Sequence, residues 1–310
     1  VSEDDADFNL DLLTNASDVD NGAVLAVDSL VNTLGDDGGI SVNANGTSLD
    51  VDLSYYQYLA GGTSETITFT YDVIDGFGGV PASQSVTIVI NGVNDDPSVS
   101  DPVATTVSED DADFNLDLLT NASDADNGAV LDVDNLSLQS GDDGGVSLNA
   151  DGTSLDVDLS YYQYLADGTS ETITFTYDVI DGQGGVPASQ SVTIVINGVN
   201  DDPSVSDPVA TTVSEDDADF NLDLLTNASD VDNGAVLAVD SLVNTLGDDG
   251  GISVNANGTS LDVDLSYYQY LAGGTSETIT FTYDVIDGFG GVPASQSVTI
   301  VINGVNDDPS

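Results

Sequence analysis

Ser64-Glu65-Thr66-Ile67-Thr68-Phe69-Thr70-Tyr71-Asp72-Val73-Ile74 is followed, after a short Gly-rich turn, by Ala82-Ser83-Gln84-Ser85-Val86-Thr87-Ile88-Val89-Ile90-Asn91. In the first run Ile67, Phe69, Tyr71 and Val73 alternate with Thr66, Thr68, Thr70 and Asp72. In the second, Val86, Ile88 and Ile90 alternate with Ser85, Thr87 and Val89. A period of two puts the apolar side chains on one face, which is the pattern of a half-buried strand in an antiparallel sheet. Leu49, Val51 and Leu53 alternate with Asp50 and Asp52 in the same way. Shorter runs at 8–13, 24–28 and 40–43 bring the count to about seven or eight strands of ordinary length. Asn45-Gly46 between two runs predicts a two-residue type I′ hairpin, and Asp151-Gly152 keeps that chemistry in a second copy. Nothing sustains a 3.6 period, so helix is confined at most to residues 55–59. The spacing predicts an immunoglobulin-like antiparallel β-sandwich.

The unit recurs with a period of 106. Val1-Ser2-Glu3-Asp4-Asp5 returns as Val107-Ser108-Glu109-Asp110-Asp111 and as Val213-Ser214-Glu215-Asp216-Asp217. Residues 1–98 and 213–310 are identical, and the middle copy differs from them at 12 positions. Identity of that degree reflects recent duplication of the gene and is not read as functional constraint. The period is too long for a solenoid and suits separate domains on a string. The expected fold class is therefore all-β: three tandem immunoglobulin-like sandwiches in a linear array, over 1–96, 97–202 and 203–310. Asn94-Asp95-Asp96-Pro97 and Asn200-Asp201-Asp202-Pro203 end a copy, where proline stops the ladder and stiffens the link. The first copy has no counterpart of residues 97–106 and is expected to start one strand short. With Val1 first and no signal peptide, the chain is expected to be a piece of something longer.

Composition narrows function further. The 310 residues include 56 Asp and Glu but no Lys, Arg, His, Cys, Met or Trp, for a formal charge of −56. Without basic residues there is nothing to neutralise phosphates or to hold an anionic membrane, so nucleic acid and direct membrane contact are excluded as partners. Missing Cys removes disulfides and thiolate metal sites, and missing His removes the commonest general base. Apolar residues at 40% set the chain apart from disordered acidic tails, and no segment approaches 18 consecutive apolar residues.

Carboxylates are the chemistry that remains. Adjacent acids such as Asp95-Asp96 repel unless a cation lies between them, and hard oxygen donors without His or Cys select calcium or magnesium. Irregular loops suit calcium, the expected cofactor. The candidates lie where the ends of the unit should meet: Asp18-Val19-Asp20 in a tight loop, Asp75 in a Gly-rich turn, and Asn94-Asp95-Asp96 at the junction. Each is also compatible with an Asx turn that holds no metal. Asp4-Asp5 and Asp36-Asp37 are read as turns, while Asp28, Asp50 and Asp52 are read as solvating strand faces. An EF-hand loop from Asp18 fails, since its sixth position is Ala23 and its twelfth Ser29.

In their order, Val1-Ser2-Glu3, Leu12-Leu13-Thr14, Asp18-Val19-Asp20, Asp75-Gly76-x-Gly78-Gly79 and Gly92-Val93-Asn94-Asp95-x-Pro97 resemble the bacterial cadherin-like and VCBS repeats. Those repeats form extender regions of giant RTX adhesins. The resemblance implies calcium between successive units. At the first junction its ligands would be Glu3, Asn94, Asp95 and Asp96, then Asp124, Asp126 and Asp181. At the second they would be Glu109, Asn200, Asp201 and Asp202, then Asp230, Asp232 and Asp287. The cadherin Asp-Arg-Glu motif has no counterpart here.

The leading expectation is a calcium-rigidified spacer on a bacterial cell surface, extracellular and suited to a marine or salty medium, where salt screens the repulsion. It would be a monomeric rod whose partners are neighbouring repeats joined through calcium. The alternative is an adhesive module for sugar, ice or a partner cadherin-like domain. Tyr55, Tyr56 and Tyr58 flank Leu53 and Leu59, where packing is the favoured role. The Thr66, Thr68, Thr70 ladder follows from β-propensity. A carboxylate-only hydrolase is the third class, and no acid pair singles itself out for it.

Overall fold

The computed structural model describes residues 1–308, so the expected end of the third unit at 310 lies outside the described residues. The first repeat has six strands: β1 (Phe8–Asp11), β2 (Ala26–Leu34), β3 (Ile40–Val42), β4 (Ser48–Val51), β5 (Ser64–Ile74) and β6 (Ala82–Asn91). The second has nine: β7 (Ser98–Val99), β8 (Val103–Ser108), β9 (Phe114–Asp117), β10 (Ala122–Ser123), β11 (Asp132–Ser140), β12 (Val146–Leu148), β13 (Ser154–Val157), β14 (Ser170–Ile180) and β15 (Ala188–Asn197). The third repeat copies those nine, each 106 residues further on. The class is all-β, and the helical turns among the described residues are short 3-10 turns such as Leu53–Tyr56, with Asp52 accepting from the amide of Ser54. That turn begins two residues before the stretch expected to hold any helix.

Each repeat packs two sheets face to face. In the second, the order β11-β14-β15-β8 faces β12-β13-β9, and the small pair β10-β7 fastens the linker. The alternating runs bury the faces expected: Ile67, Phe69, Tyr71 and Val73 from β5 meet Ile88 and Ile90 from β6 and Leu49 and Val51 from β4 in one core. At about 25 cal/mol per Å² of apolar area, such buried side chains dominate the stability of each unit. A buried hydroxyl completes each core, as Tyr177 Oη donates to the Leu118 carbonyl at 2.6 Å.

Three expectations need correction. β8 runs parallel to β15, Val103 opposite Val192 through Ser108 opposite Asn197, so the sandwich is not wholly antiparallel. The linker arrives at one pole of the unit and leaves from the other, so first and last strands must point the same way. The Asn45-Gly46 hairpin is not type I′: Gly46 has φ 74° while Asn45 is not in the left-handed region. Gly46 N donates to the Asn43 carbonyl and Asn43 N to the Ser48 carbonyl, both at 2.8 Å, so a right-handed turn closes on one left-handed glycine. The apolar run at 24–28 overlaps only the start of β2, whose register shift between Asp28 and Val31 lets Ser29–Leu34, a stretch without strict alternation, continue the strand.

The first repeat, expected to be one strand short, lacks the counterparts of three, β7, β8 and β10. Its outer sheet has three strands, β2-β5-β6, against four in each of the others. In place of the fourth strand, Ser2 makes an isolated parallel bridge to Asn91.

Candidate metal centres at the repeat junctions

The junction is assembled by backbone first. Ser98 and Val99 pair with Ser123 and Ala122, so the linker becomes an edge of the second repeat. The Asn127 amide donates across the junction to the Tyr58 carbonyl at 2.9 Å, and Asn233 to Tyr164 repeats this at the next. Neither bond was legible in the sequence, since both partners are main-chain groups.

Those contacts bring three carboxylates together. Oxygens of Glu3, Asp95 and Asp126 lie within 4.8 Å of one another, as do those of Glu109, Asp201 and Asp232. Glu3 and Glu109 are each 2% exposed. One oxygen of Glu3 accepts from the Val93 amide at 2.6 Å, and Asp126 accepts from the Asp95 amide at 3.1 Å. The other oxygens of Glu3 and Asp126 are buried with no hydrogen-bond partner, and so is one oxygen each of Asp95, Asp124 and Asn94. Glu109, Asn200, Asp201, Asp230 and Asp232 repeat the same orphans at the second junction. Burial and then the nearby carboxylate of Asp126 push the Asp95 carboxyl up. Burial likewise raises Glu3 and Asp126, against the hydrogen bonds they accept. Glu109, Asp201 and Asp232 shift in the same direction, with burial the largest cause in each.

The remaining expected ligands have different places. Asp181 receives Asn94 Nδ2 at 2.7 Å and the Gln183 amide at 2.9 Å, so it orients Asn94. Burial works against its charge, but these hydrogen bonds outweigh it and hold the Asp181 carboxyl low. Asp287 plays the same part for Asn200, at 3.1 Å. Asp124 and Asp230 accept from the amides of Asp126 and Asp232, two residues on, and shape the Asp-x-Asp loop. Asp96 and Asp202 turn aside to accept from the amides of Val186 and Val292. Asp18, Asp20 and Asp75 form the matching group in the first repeat, within 4.8 Å of one another, with Asp18 and Asp20 exposed and Asp75 half-buried. Asp4, read as a turn residue, is close enough to Asp95 to raise its carboxyl, and Asp110 does the same to Asp201. Only packing places those two.

The donor set fits a hard divalent cation. Three carboxylates converge at each junction, five buried side-chain oxygens there have no partner, and the chain has no Lys, Arg or His to neutralise them. Oxygen-only donors on irregular loops suit calcium better than the strict octahedron of magnesium. Asp36, in contrast, is structural: its side chain accepts from Gly38 N and its carbonyl from Tyr56 Oη at 2.8 Å. A Cβ on Gly39 would lie 2.6 Å from the Tyr56 ring, so the tyrosine cluster is packed against this turn.

Fold and junction together define a tandem array of β-sandwich repeats with acidic joints. The chain belongs to the bacterial Ig domain family, which matches residues 94–195 and 200–301. No curated protein sequence matches it. Among solved structures it is similar to three cadherin domains of a mouse clustered protocadherin, with 19% identity, TM-score 0.38, and coverage of 91% of this chain and 89% of that one. It is similar to the human desmocollin-1 ectodomain, with 15% identity and TM-score 0.37, over 91% of this chain and 54% of that one. An endo-fucoidan hydrolase of glycoside hydrolase family 107 is similar over 92% of this chain and 39% of its own, with 20% identity and TM-score 0.28. Likeness at these TM-scores says nothing of what the chain binds. No helix of the described residues is long and apolar enough to cross a membrane.

Proposed function

We propose that the chain is a calcium-rigidified extender of a bacterial cell-surface adhesin, a spacer that holds a distal binding module away from the cell. One observation carries this reading: buried, unpartnered oxygens from two successive repeats converge at each junction, with no cation in the sequence to meet them. Glu3 and Asp95 come from one side, and Asp126, Asp124 and the Asn94-orienting Asp181 from the other. An ion held there would tie the last strand of one repeat to the loops of the next, turning a small, mobile interdomain contact into a fixed one. The chain's own residues supply the geometry, and calcium supplies the counter-charge. An adhesive role for the tyrosines is less well supported, since Tyr56 is fully buried and Tyr55 lies over the Gly38 turn.

Melting in millimolar calcium, in magnesium and in chelator tests the reading. An ion at one hundred times its dissociation constant adds about 2.7 kcal/mol per site to the folded state alone. Tm should therefore be highest in calcium and lowest in chelator. Coincident melts in all three overturn it.

A further inference from the structure

We infer that Asn127 and Asn233 are sites of self-modification, at which the folded chain turns the asparagine beside each junction into isoaspartate and so loosens that joint with age. Eight Asn-Gly pairs occur in the sequence, in three settings. Asn21, Asn127 and Asn233 follow the Asp-x-Asp loops, Asn45 and Asn257 lie in hairpins, and Asn91, Asn197 and Asn303 end the last strand of a repeat. Glycine after asparagine carries no Cβ, so nothing keeps its nitrogen from the neighbouring carboxamide except the bonds the fold gives it.

Those bonds separate the settings. Gly46 and Gly258 donate to the Asn43 and Asn255 carbonyls at 2.8 and 2.9 Å, each closing its own turn. Gly92, Gly198 and Gly304 donate to the carbonyls of Thr63, Thr169 and Thr275 at 3.0, 3.0 and 2.9 Å. The junction loops place the same dipeptide differently. Ala129 N donates to the Asp126 carbonyl at 3.2 Å and Gly128 has φ 83°, so Asn127 and Gly128 are the central residues of a type II turn. The amide between two central residues points out of such a turn, and that of Gly128 has no main-chain acceptor among the described residues. Asp232 to Ala235 repeats the turn, with Gly234 at φ 89°. A Cβ on Gly128 or Gly234 would meet nothing within 4 Å, so solvent reaches the reacting nitrogen. Exposure alone does not make the distinction, since Asn45 is as open as Asn127. Asn45 Oδ1, however, is held by the Thr47 amide at 2.9 Å, and Asn257 Oδ1 by the Thr259 amide at 3.0 Å.

The chemistry needs only solvent. The Gly128 nitrogen attacks Asn127 Cγ and gives its proton to solvent base, and the carboxamide nitrogen leaves as ammonia. The resulting cyclic succinimide takes up a water molecule, which opens it at either carbonyl to isoaspartate or aspartate. In isoaspartate the main chain runs through Cβ and Cγ and is longer by an atom. That atom falls inside the turn closed by Ala129, next to buried Asp126 and the Asn127 amide that crosses to the Tyr58 carbonyl. The product also adds a carboxylate to a group that has no cation in the chain to meet it. No step uses calcium, so the inference stands apart from the proposed function.

The test incubates the whole folded chain at mildly alkaline pH and cuts it before aspartates. Fragment 126–131 reports Asn127, fragment 181–200 reports Asn197, and the identical fragments 37–49 and 249–261 report the hairpins. Isoaspartate should accumulate in 126–131 at least about tenfold faster than in the others, because a bonded glycine amide reacts only after local opening. In denaturant the three settings should react alike, and Asn127→Ala should silence 126–131 alone. In the aged chain the amide of residue 127 should lose protection from hydrogen exchange, while the Asn127→Ala chain aged beside it keeps that protection. Equal rates in the folded chain, or a preference that persists in denaturant, sink the inference. A chain modified at Asn127 that keeps this amide protected overturns the loosening of the joint.

Discussion

Asp126 and Asp232 sit where a carboxylate is costly without an ion, since burial and neighbouring acids both raise their pKa. A raised acid takes up protons in the folded form over a window just above the ordinary carboxylate range, while the unfolded form stays ionised there. Metal-free stability should therefore fall as pH rises through that window and recover as pH drops into it. Repulsion among the other acids pushes the same way, so Asp126→Asn is the discriminating variant. In chelator near neutral pH it should raise Tm and flatten the pH slope; in calcium it should lower Tm. A variant that shifts Tm in the same direction under both conditions would falsify the cage. A second residue carries an ordinary structural role. Tyr177 and Leu118 are buried, and burial pushes the Tyr177 phenol up to about 12. Replacing Tyr177 with Phe leaves the Leu118 carbonyl without its partner, a loss of about 1–3 kcal/mol in denaturant unfolding. A change inside the error of the measurement would make that bond dispensable.

Among the elements, β6 is the informative one. Its sequence equals that of the last strand of the third repeat, so a difference in exchange between them reports their surroundings and not their residues. Amides of residues 82–91 in the unliganded chain should exchange faster than those of 294–303, because an uncovered edge opens more readily. Equal rates would mean that three strands suffice. The alternation in β5 and β6 made the strands and their inward faces legible from the residues alone, since a period of two has one geometric solution. The turn at Asn43 to Gly46 and the extension of β2 were not legible. Turn type depends on how the flanking strands are twisted, and the far end of β2 is held by pairing with β5 across register shifts that break the alternation.

Over the whole molecule, the two joints should act independently. An eleven-residue strand rises about 35 Å at 3.3 Å per residue, so a unit with its loops is about 40 Å long and three end to end would reach roughly 120 Å. Small-angle scattering in calcium should show that length with little flexibility. In chelator the like charges should keep the chain extended on average without fixing its angle. Asp201→Ala should loosen the second joint and leave the first stiff, because the Glu3, Asp95 and Asp126 group shares no residue with it. If maximum dimension and flexibility are the same in calcium, in chelator and in this variant, the rod mechanism is wrong.

The sequence by itself determined the all-β class, the period of 106, the inward faces of the long strands and the confinement of any metal chemistry to oxygen donors. These follow from alternation, self-similarity and composition, which are local or countable. It also brought Glu3, Asp95 and Asp126 into one candidate set, through a resemblance and not through spacing. Which of the many acids lose water was decided only by tertiary structure. Glu3 is buried because the Val93 amide holds it under the last strand, Asp126 because the Asp95 amide crosses from the other repeat, and Asp96 turns away to Val186. Identical aspartates become buried unpartnered acid, loop brace or solvent-facing charge according to which main-chain donors reach them, and that depends on contacts 31 to 90 residues apart in the chain.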